Sequence, residues 1–291
     1  MGAAPPAEAV EALEKRFGTV THDLLSDRRG SRAWKIEAPG ATLALKANAP
    51  EDDGARDKAV EMEQEDRHLQ ALADSAAIRP SYRVDAGAWG GGRWLAVEWV
   101  DGSQLWRALA PTREDTGNTT AHRALLLRIA QTWAARLAPM HAAGWTHADV
   151  QPTNTLVDPD GAAHAIDYAL ACGPDTTRLP YRGALTHTTA PEIANAILST
   201  ADDVHVQAKP PADIWGLGAS LFWCWTGHRP GIYKDNTQRV DKLRALAEGN
   251  LHALQDVQPW PFPALEELVK ACLAPDPDQR PTAAEVAAWS R

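Results

Sequence analysis

The chain has 291 residues, 44% hydrophobic and 23% charged, enough to bury one large core or two lobes. Its formal charge of −9, with no basic block, argues against a partner of the nucleic-acid backbone type. Cys172, Cys224 and Cys272 stand far apart and form no Cys-x-x-Cys pair, so they read as ordinary thiols of a reducing compartment. The N-terminal stretch MGAAPPAEAVEALEKRFG carries acids where a secretory sequence needs an apolar core, and the most apolar piece, 214–225, is too short for a bilayer. A soluble cytoplasmic protein with no membrane partner is expected.

Residues 7–16 predict a short charged helix. SRAWKIEA and ATLALKAN alternate in hydrophobicity about a Pro-Gly turn and predict a strand–turn–strand unit. Residues 55–73 suit a helix with one packed face, and SYRVDAG with RWLAVEWV, around Gly90–Gly92, predict a second hairpin. The character changes after Asp101-Gly102. Residues 121–144 predict a long helix closed by glycine, and residues 154–167, NTLVDPDGAAHAID, predict two short strands about a turn. DIWGLGASLFWCWTG is apolar nearly all round and predicts a helix inside a core. PALEELVKACLA, a PDPDQR turn and PTAAEVAAWS follow, the last read as a helix with Pro281 near its first position. The expected class is α+β. A small antiparallel-sheet lobe with one main helix spans residues 20–100, and a larger helical lobe spans 101–291. With no Pro-, Gly- or Ser-rich linker at 98–105, the two are expected to be lobes of one unit, with a cleft between them.

Three residues stand out chemically. Asp149 and Asn154 flank a loop before a strand, and Asp167 ends the next strand, eighteen residues after Asp149. A hairpin there brings Asn154 and Asp167 together as hard oxygen ligands suited to Mg²⁺ completed by phosphate oxygens. Asp149 is then placed to orient a hydroxyl and accept its proton. The competing reading is three cap or turn residues. Lys46 lies on a strand, opposite in facing to Leu43 and Leu45, and needs a partner. Glu65 can supply one, with Glu61 and Glu63 as rivals; alternatively Lys46 is a surface lysine with a snorkelling stem.

Taken in order, these residues resemble protein kinases of the bacterial Ser/Thr type, from about residue 24 to 290. His147-Ala148-Asp149-Val150-Gln151-Pro152-Thr153-Asn154 is similar to the family's H-R-D-x-K-x-x-N loop, and Asp167-Tyr168-Ala169 to D-F-G. Ala190-Pro191-Glu192 keeps A-P-E, Asp213 opens a D-x-W-S-x-G-like helix, and Arg280 matches the late arginine that pairs with Glu192. The resemblance implies a two-lobed protein kinase-like fold covering residues 1–291 as a single domain, using ATP and Mg²⁺. It implies that Lys46 holds phosphates and Glu65 pins Lys46. It makes Gly30 the remnant of the glycine-rich loop, and Glu98, Trp99 and Val100 a hinge presenting backbone to adenine. Asp149 becomes the acceptor-orienting base with Gln151 beside it, Asn154 and Asp167 the metal ligands, and His147 a structural residue.

The departures bear on function. Only Gly30 remains where three glycines are usual, and Arg28, Arg29 and Arg32 crowd that stretch as candidate replacements for the lost phosphate contacts. Gln151 replaces a lysine that meets the γ-phosphate, which implies slower transfer or compensation by a neighbour such as Lys209 or an arginine. Ala148 replaces the arginine that grips a phosphorylated segment, which implies no such switch. Leu185 stands near the position of a substrate-facing threonine. Retention of Lys46, Asp149, Asn154 and Asp167 favours an active phosphotransferase acting on Ser or Thr of a protein or dedicated peptide, a natural-product precursor of the lanthipeptide type being one niche. A pseudokinase serving as scaffold or activator of a partner enzyme is the second reading, and a small-molecule kinase the third.

Overall fold

A five-stranded antiparallel sheet organises residues Met1–Val100, the first of two units into which the chain divides; Asp101–Arg291 form the second. The computed structural model describes residues 3–28, 30–48, 55–114, 116–174 and 181–290. The sheet contains β1 (Thr21–Arg28), β2 (Ser31–Ala38), β3 (Ala41–Asn48), β4 (Arg83–Trp89) and β5 (Gly92–Glu98), in the spatial order β1-β2-β3-β5-β4. The register pairs Trp34 with Leu45, Ile36 with Leu43 and Lys46 with Leu95. Because side chains alternate along a strand, Trp34, Ile36, Leu43, Leu45 and Ala47 fall on one buried face. Helix α1 (Ala7–Phe17) covers that face with Ala9 and Leu13. Two long-range bonds fasten it: Trp34 Nε1 donates to the Ala3 carbonyl at 2.8 Å, and Arg16 Nη1 to the Val84 carbonyl at 2.6 Å. A side chain as buried as Leu13 contributes roughly 1.5–3 kcal/mol. Strand β1 was not among the expected strands. Seven of its eight residues are exposed and six are polar, so it carries no hydrophobic alternation.

The other side of β3 carries Lys46 and faces helix α2 (Ala55–Asp74). That helix stops at Ala76, whose φ of 55° lies in the left-handed region. The Ala77 N–H reaches back to the Leu72 carbonyl at 2.8 Å and Ala76 N–H to Ala73 at 3.0 Å, the bonding of a helix end normally closed by glycine.

The second unit is mainly helical: α3 (Leu105–Ala108), α4 (Thr120–Ala142), α5 (Pro191–Ser199), α6 (Pro210–Thr226), α7 (Arg239–Ala247), α8 (Leu254–Val257), α9 (Pro263–Cys272) and α10 (Ala283–Ala287). A small sheet of β6 (Ser103–Gln104), β7 (Thr155–Val157) and β8 (Ala163–Ala165) accompanies them. Helix α4 starts on a Thr119 side chain that accepts the His122 N–H at 3.1 Å. It buries Leu126, Ile129, Ala130, Trp133, Leu137 and Met140, spaced at three and four residues as one helix face requires. Helix α6 is buried around most of its circumference and ends at Gly227, with φ 79°. Helix α10 corrects the expectation for Pro281. The N-cap is Thr282, whose hydroxyl accepts from the Glu285 N–H while Glu285 returns a bond to the Thr282 N–H; Pro281 lies one residue before it. Among the described residues no helix is long and apolar enough to cross a membrane. All three cysteines are buried free thiols.

Candidate functional site

In the first unit, Lys46 Nζ donates to both carboxylate oxygens of Glu65, at 2.8 and 3.0 Å. The rival carboxylates are held elsewhere: Glu61 by Lys58 at 2.5 Å, and Glu63 by Arg93 at 2.8 Å. Glu65 is almost fully buried, and Lys46 keeps about a quarter of its side chain exposed (6% and 23%). The pair therefore fixes an ammonium on a rigid strand while leaving part of it accessible to an anion. Gly30 lies just ahead of β2 with φ 75°. Among the arginines of that stretch, Arg32 is ion-paired to Asp27 at 3.0 Å, Arg28 is exposed, and Arg29 lies outside the described residues. Arg32 is thus already neutralised in part, which weakens its candidacy as a phosphate contact.

At the end of β5 two backbone donors are used within the fold. Glu98 N–H donates to the Tyr82 carbonyl at 2.8 Å and Trp99 N–H to Thr42 at 3.0 Å, so these two donors serve the fold. The Glu98 carboxylate meets Arg79 at 2.9 Å. The Val100 N–H has no hydrogen-bond partner among the described residues.

In the second unit, the loop His147–Asn154 is anchored from beneath by Asp213, near the start of α6. Its Oδ2 accepts from the His147 N–H at 2.8 Å, its Oδ1 accepts from the Ala148 N–H at 2.9 Å, and His141 Nε2 lies 2.9 Å from Oδ2. Ala148 has φ 62°, a strained setting for a residue with a Cβ. Asp213 holds its N–H, and the Tyr181 hydroxyl donates to its carbonyl at 2.8 Å. Burial, with Asp149, Cys172 and Asp213 nearby, pushes the Tyr181 phenol well up, so it stays a donor. Gly216 lets α6 come this close. A Cβ there would stand 2.7 Å from the Val150 carbonyl oxygen and 3.0 Å from its Cβ.

This support leaves Asp149 fixed by two amides. Gln151 Nε2 donates to Oδ1 at 2.5 Å and Asn154 Nδ2 to Oδ2 at 2.6 Å. Burial and the neighbouring Asp167 carboxylate push the Asp149 carboxyl up to about 7, against the pull of the two amide donors. The β7–β8 hairpin pairs Thr155 with Ala165, and the Ile166 N–H donates to the Asn154 carbonyl at 3.0 Å. Asp167, with φ 68°, follows directly. Tyr168 packs its ring 4.9 Å from the His147 imidazole, whose basicity burial depresses despite Asp213 and Asp167. Asn154 turns its Nδ2 toward Asp149, which leaves its Oδ1 as an acceptor. Asp167 and Asn154 thus offer two hard oxygen groups, and no group of three His, Cys, Asp or Glu able to hold a metal occurs among the described residues. That donor set fits a cation finished by phosphate oxygens, as Mg²⁺ commonly is, better than one caged by protein alone.

Farther along, Arg280 and Glu192 form a two-pronged pair at 2.8 and 2.7 Å, and Arg280 also donates to the carbonyls of Ala274, Pro211 and Pro275. Its guanidinium lies 5.0 Å from the Trp215 ring centroid. Sequence reasoning missed His141 and Tyr181. Nothing in their local spacing announces them, because each acts through a partner brought close by the fold.

The family model described as "Protein kinase domain" matches residues 37–289. Similar curated proteins include the "Probable serine/threonine-protein kinase PkwA" of Thermomonospora curvata, 27% identical over 76% of this chain and 27% of that protein. The "Serine/threonine-protein kinase AfsK" of Streptomyces griseus is 33% identical over 72% of this chain and 24% of its own length. Its namesake from Streptomyces coelicolor is 30% identical over 76% and 25%. The chain thus spans about a quarter of the length of these relatives.

Proposed function

Since the chain belongs to the protein kinase domain family, we propose that it transfers the γ-phosphoryl group of ATP to a serine or threonine hydroxyl of a polypeptide. The observation that carries this reading is the half-buried Asp149 carboxylate, pinned by Gln151 and Asn154, with Asp167 beside it. Phosphoryl transfer asks a protein for positioning and charge neutralisation more than for covalent help. Lys46, steadied by Glu65, meets nucleotide phosphates. Asp149 orients the acceptor hydroxyl and takes its proton on a carboxylate oxygen, for which a pKa near neutrality is well matched. Asn154 Oδ1 and the Asp167 carboxylate would hold Mg²⁺, which would supply positive charge to the phosphate oxygens. The Val100 N–H is the donor offered to the base.

Gln151 gives a specific ground for a second reading, a nucleotide-binding scaffold. Its amide is neutral, so the charge gathering on the transferred group meets one cation fewer than a lysine would provide. The finer form of the main reading, a dedicated acceptor such as a precursor peptide or a partner enzyme, is supported by Ala148 and Leu185 alone.

Incubation of the chain with ATP, Mg²⁺ and both acidic and basic acceptor proteins, read by intact mass, separates the readings. The expected result is an added phosphoryl group on an acceptor or on the chain itself, abolished by Lys46→Met. ATP binding without any transfer would replace the main reading by the scaffold.

A further inference from the structure

Thr153 has no part in the chemistry above, yet it ends a chain of hydrogen bonds leading into it. Its Oγ1 donates to Gln151 Oε1 at 3.0 Å, and Gln151 Nε2 donates to Asp149 Oδ1 at 2.5 Å. The Thr155 hydroxyl holds the Gln151 carbonyl at 2.9 Å, and a 3₁₀ turn over Pro152–Asn154 sets the spacing. We infer that Thr153 is a positioning residue for the acceptor-orienting base: its hydroxyl tethers the Gln151 amide, which in turn fixes Asp149 Oδ1. The inference rests on the phosphotransfer reading of this same site.

The direction of each bond follows from donor and acceptor chemistry. An ionised Asp149 only accepts, so the Gln151 NH₂ must face it and the Gln151 carbonyl must face away. The Thr153 hydroxyl meets that carbonyl as a donor. A free glutamine side chain carries several rotatable bonds, and the second tether removes freedom that the bond to Asp149 alone would leave. The link exists because residue 151 is an amide, since a lysine at 151 has no acceptor for the Thr153 proton. It also lies wholly within residues 149–154. Leu185, in the segment before Ala190–Glu192, has no side-chain polar atom with which to steady Asp149 or Gln151. The Asp149 side chain is therefore oriented from within its own loop.

Thr153 is exposed, so water competes for its hydroxyl and the expected effect is moderate. Thr153→Val keeps the shape and removes the donor; Thr153→Ala removes it without the second methyl. Both should lower kcat about three- to tenfold, the span of one net hydrogen bond, with KM for ATP unchanged within about twofold. Thr153→Ser should restore the wild-type rate. In a Gln151→Met background, which has no amide to tether, Thr153→Val should cost nothing further. Wild-type kcat in Thr153→Val, or losses that multiply in the double variant, would overturn the link while leaving phosphotransfer standing. Absence of transfer by the wild-type chain would remove the reading on which the link depends.

Discussion

Replacing Asp213 by asparagine tests how the loop over residues 147–154 is held. The carboxylate, 1% exposed, accepts the N–H groups of His147 and Ala148 and meets His141, all at 2.8–2.9 Å. Asparagine keeps one acceptor oxygen and converts the other position into a donor. If its oxygen serves His147 and His141, its NH₂ confronts the Ala148 N–H. If it is turned over, the His147 N–H is left without an acceptor. Either way at least one buried backbone donor is orphaned, at about 1–3 kcal/mol, and the surviving bonds lose their charge assistance. Ala148, with φ 62°, then loses part of what holds it in a conformation it disfavours. The sum is about 2–4 kcal/mol of local stability, or roughly a 30- to 900-fold rise in opening. Hydrogen exchange read by mass spectrometry on a peptide covering residues 145–150 measures it directly, and exchange elsewhere in the second unit serves as reference. Protection of that peptide within threefold of wild type in Asp213→Asn would refute the clamp.

Glu65→Gln leaves Lys46 with a neutral partner, and Glu61 and Glu63 are already taken; ATP affinity measured by calorimetry should fall about tenfold, the effect of losing one charge-assisted contact, and unchanged affinity would contradict the pairing. Ala76→Gly should raise the stability of the first unit by about 0.5–1 kcal/mol in urea unfolding, because glycine adopts the left-handed end of α2 without penalty; a loss of stability would contradict that geometry. Gly216→Ala drives a methyl into the Val150 backbone, so transfer should fall at least about tenfold with a lower melting temperature, whereas wild-type behaviour would mean that α6 and the loop have room to part.

The two hairpins over 31–48 and 83–98 were legible because their alternation and turn residues agree. Helix α6 was legible from apolar composition, and the β7–β8 hairpin from its turn. Elements whose form depends on contact were not. Strand β1 lacks a hydrophobic face of its own and exists through pairing with β2. The charged helix at the N-terminus was predicted, but its place on the Trp34–Leu45 face was not, since Ala9 and Leu13 are fully buried there while Ala12 and Phe17 only partly pack against it. Sequence spacing could not choose among Glu61, Glu63 and Glu65; the cations nearest the first two make the distinction in the structure. The same holds for Trp99, whose donor is claimed by Thr42 across the sheet, and for Arg32, claimed by Asp27.

The most direct test of the whole reading compares wild type with Asp149→Asn in a single-turnover assay of phosphoryl transfer from ATP to a serine- or threonine-containing polypeptide. Transfer should fall at least about a hundredfold, the usual worth of a positioned base, while ATP binding stays within about threefold. Undiminished transfer by Asp149→Asn would place the acceptor chemistry on another residue.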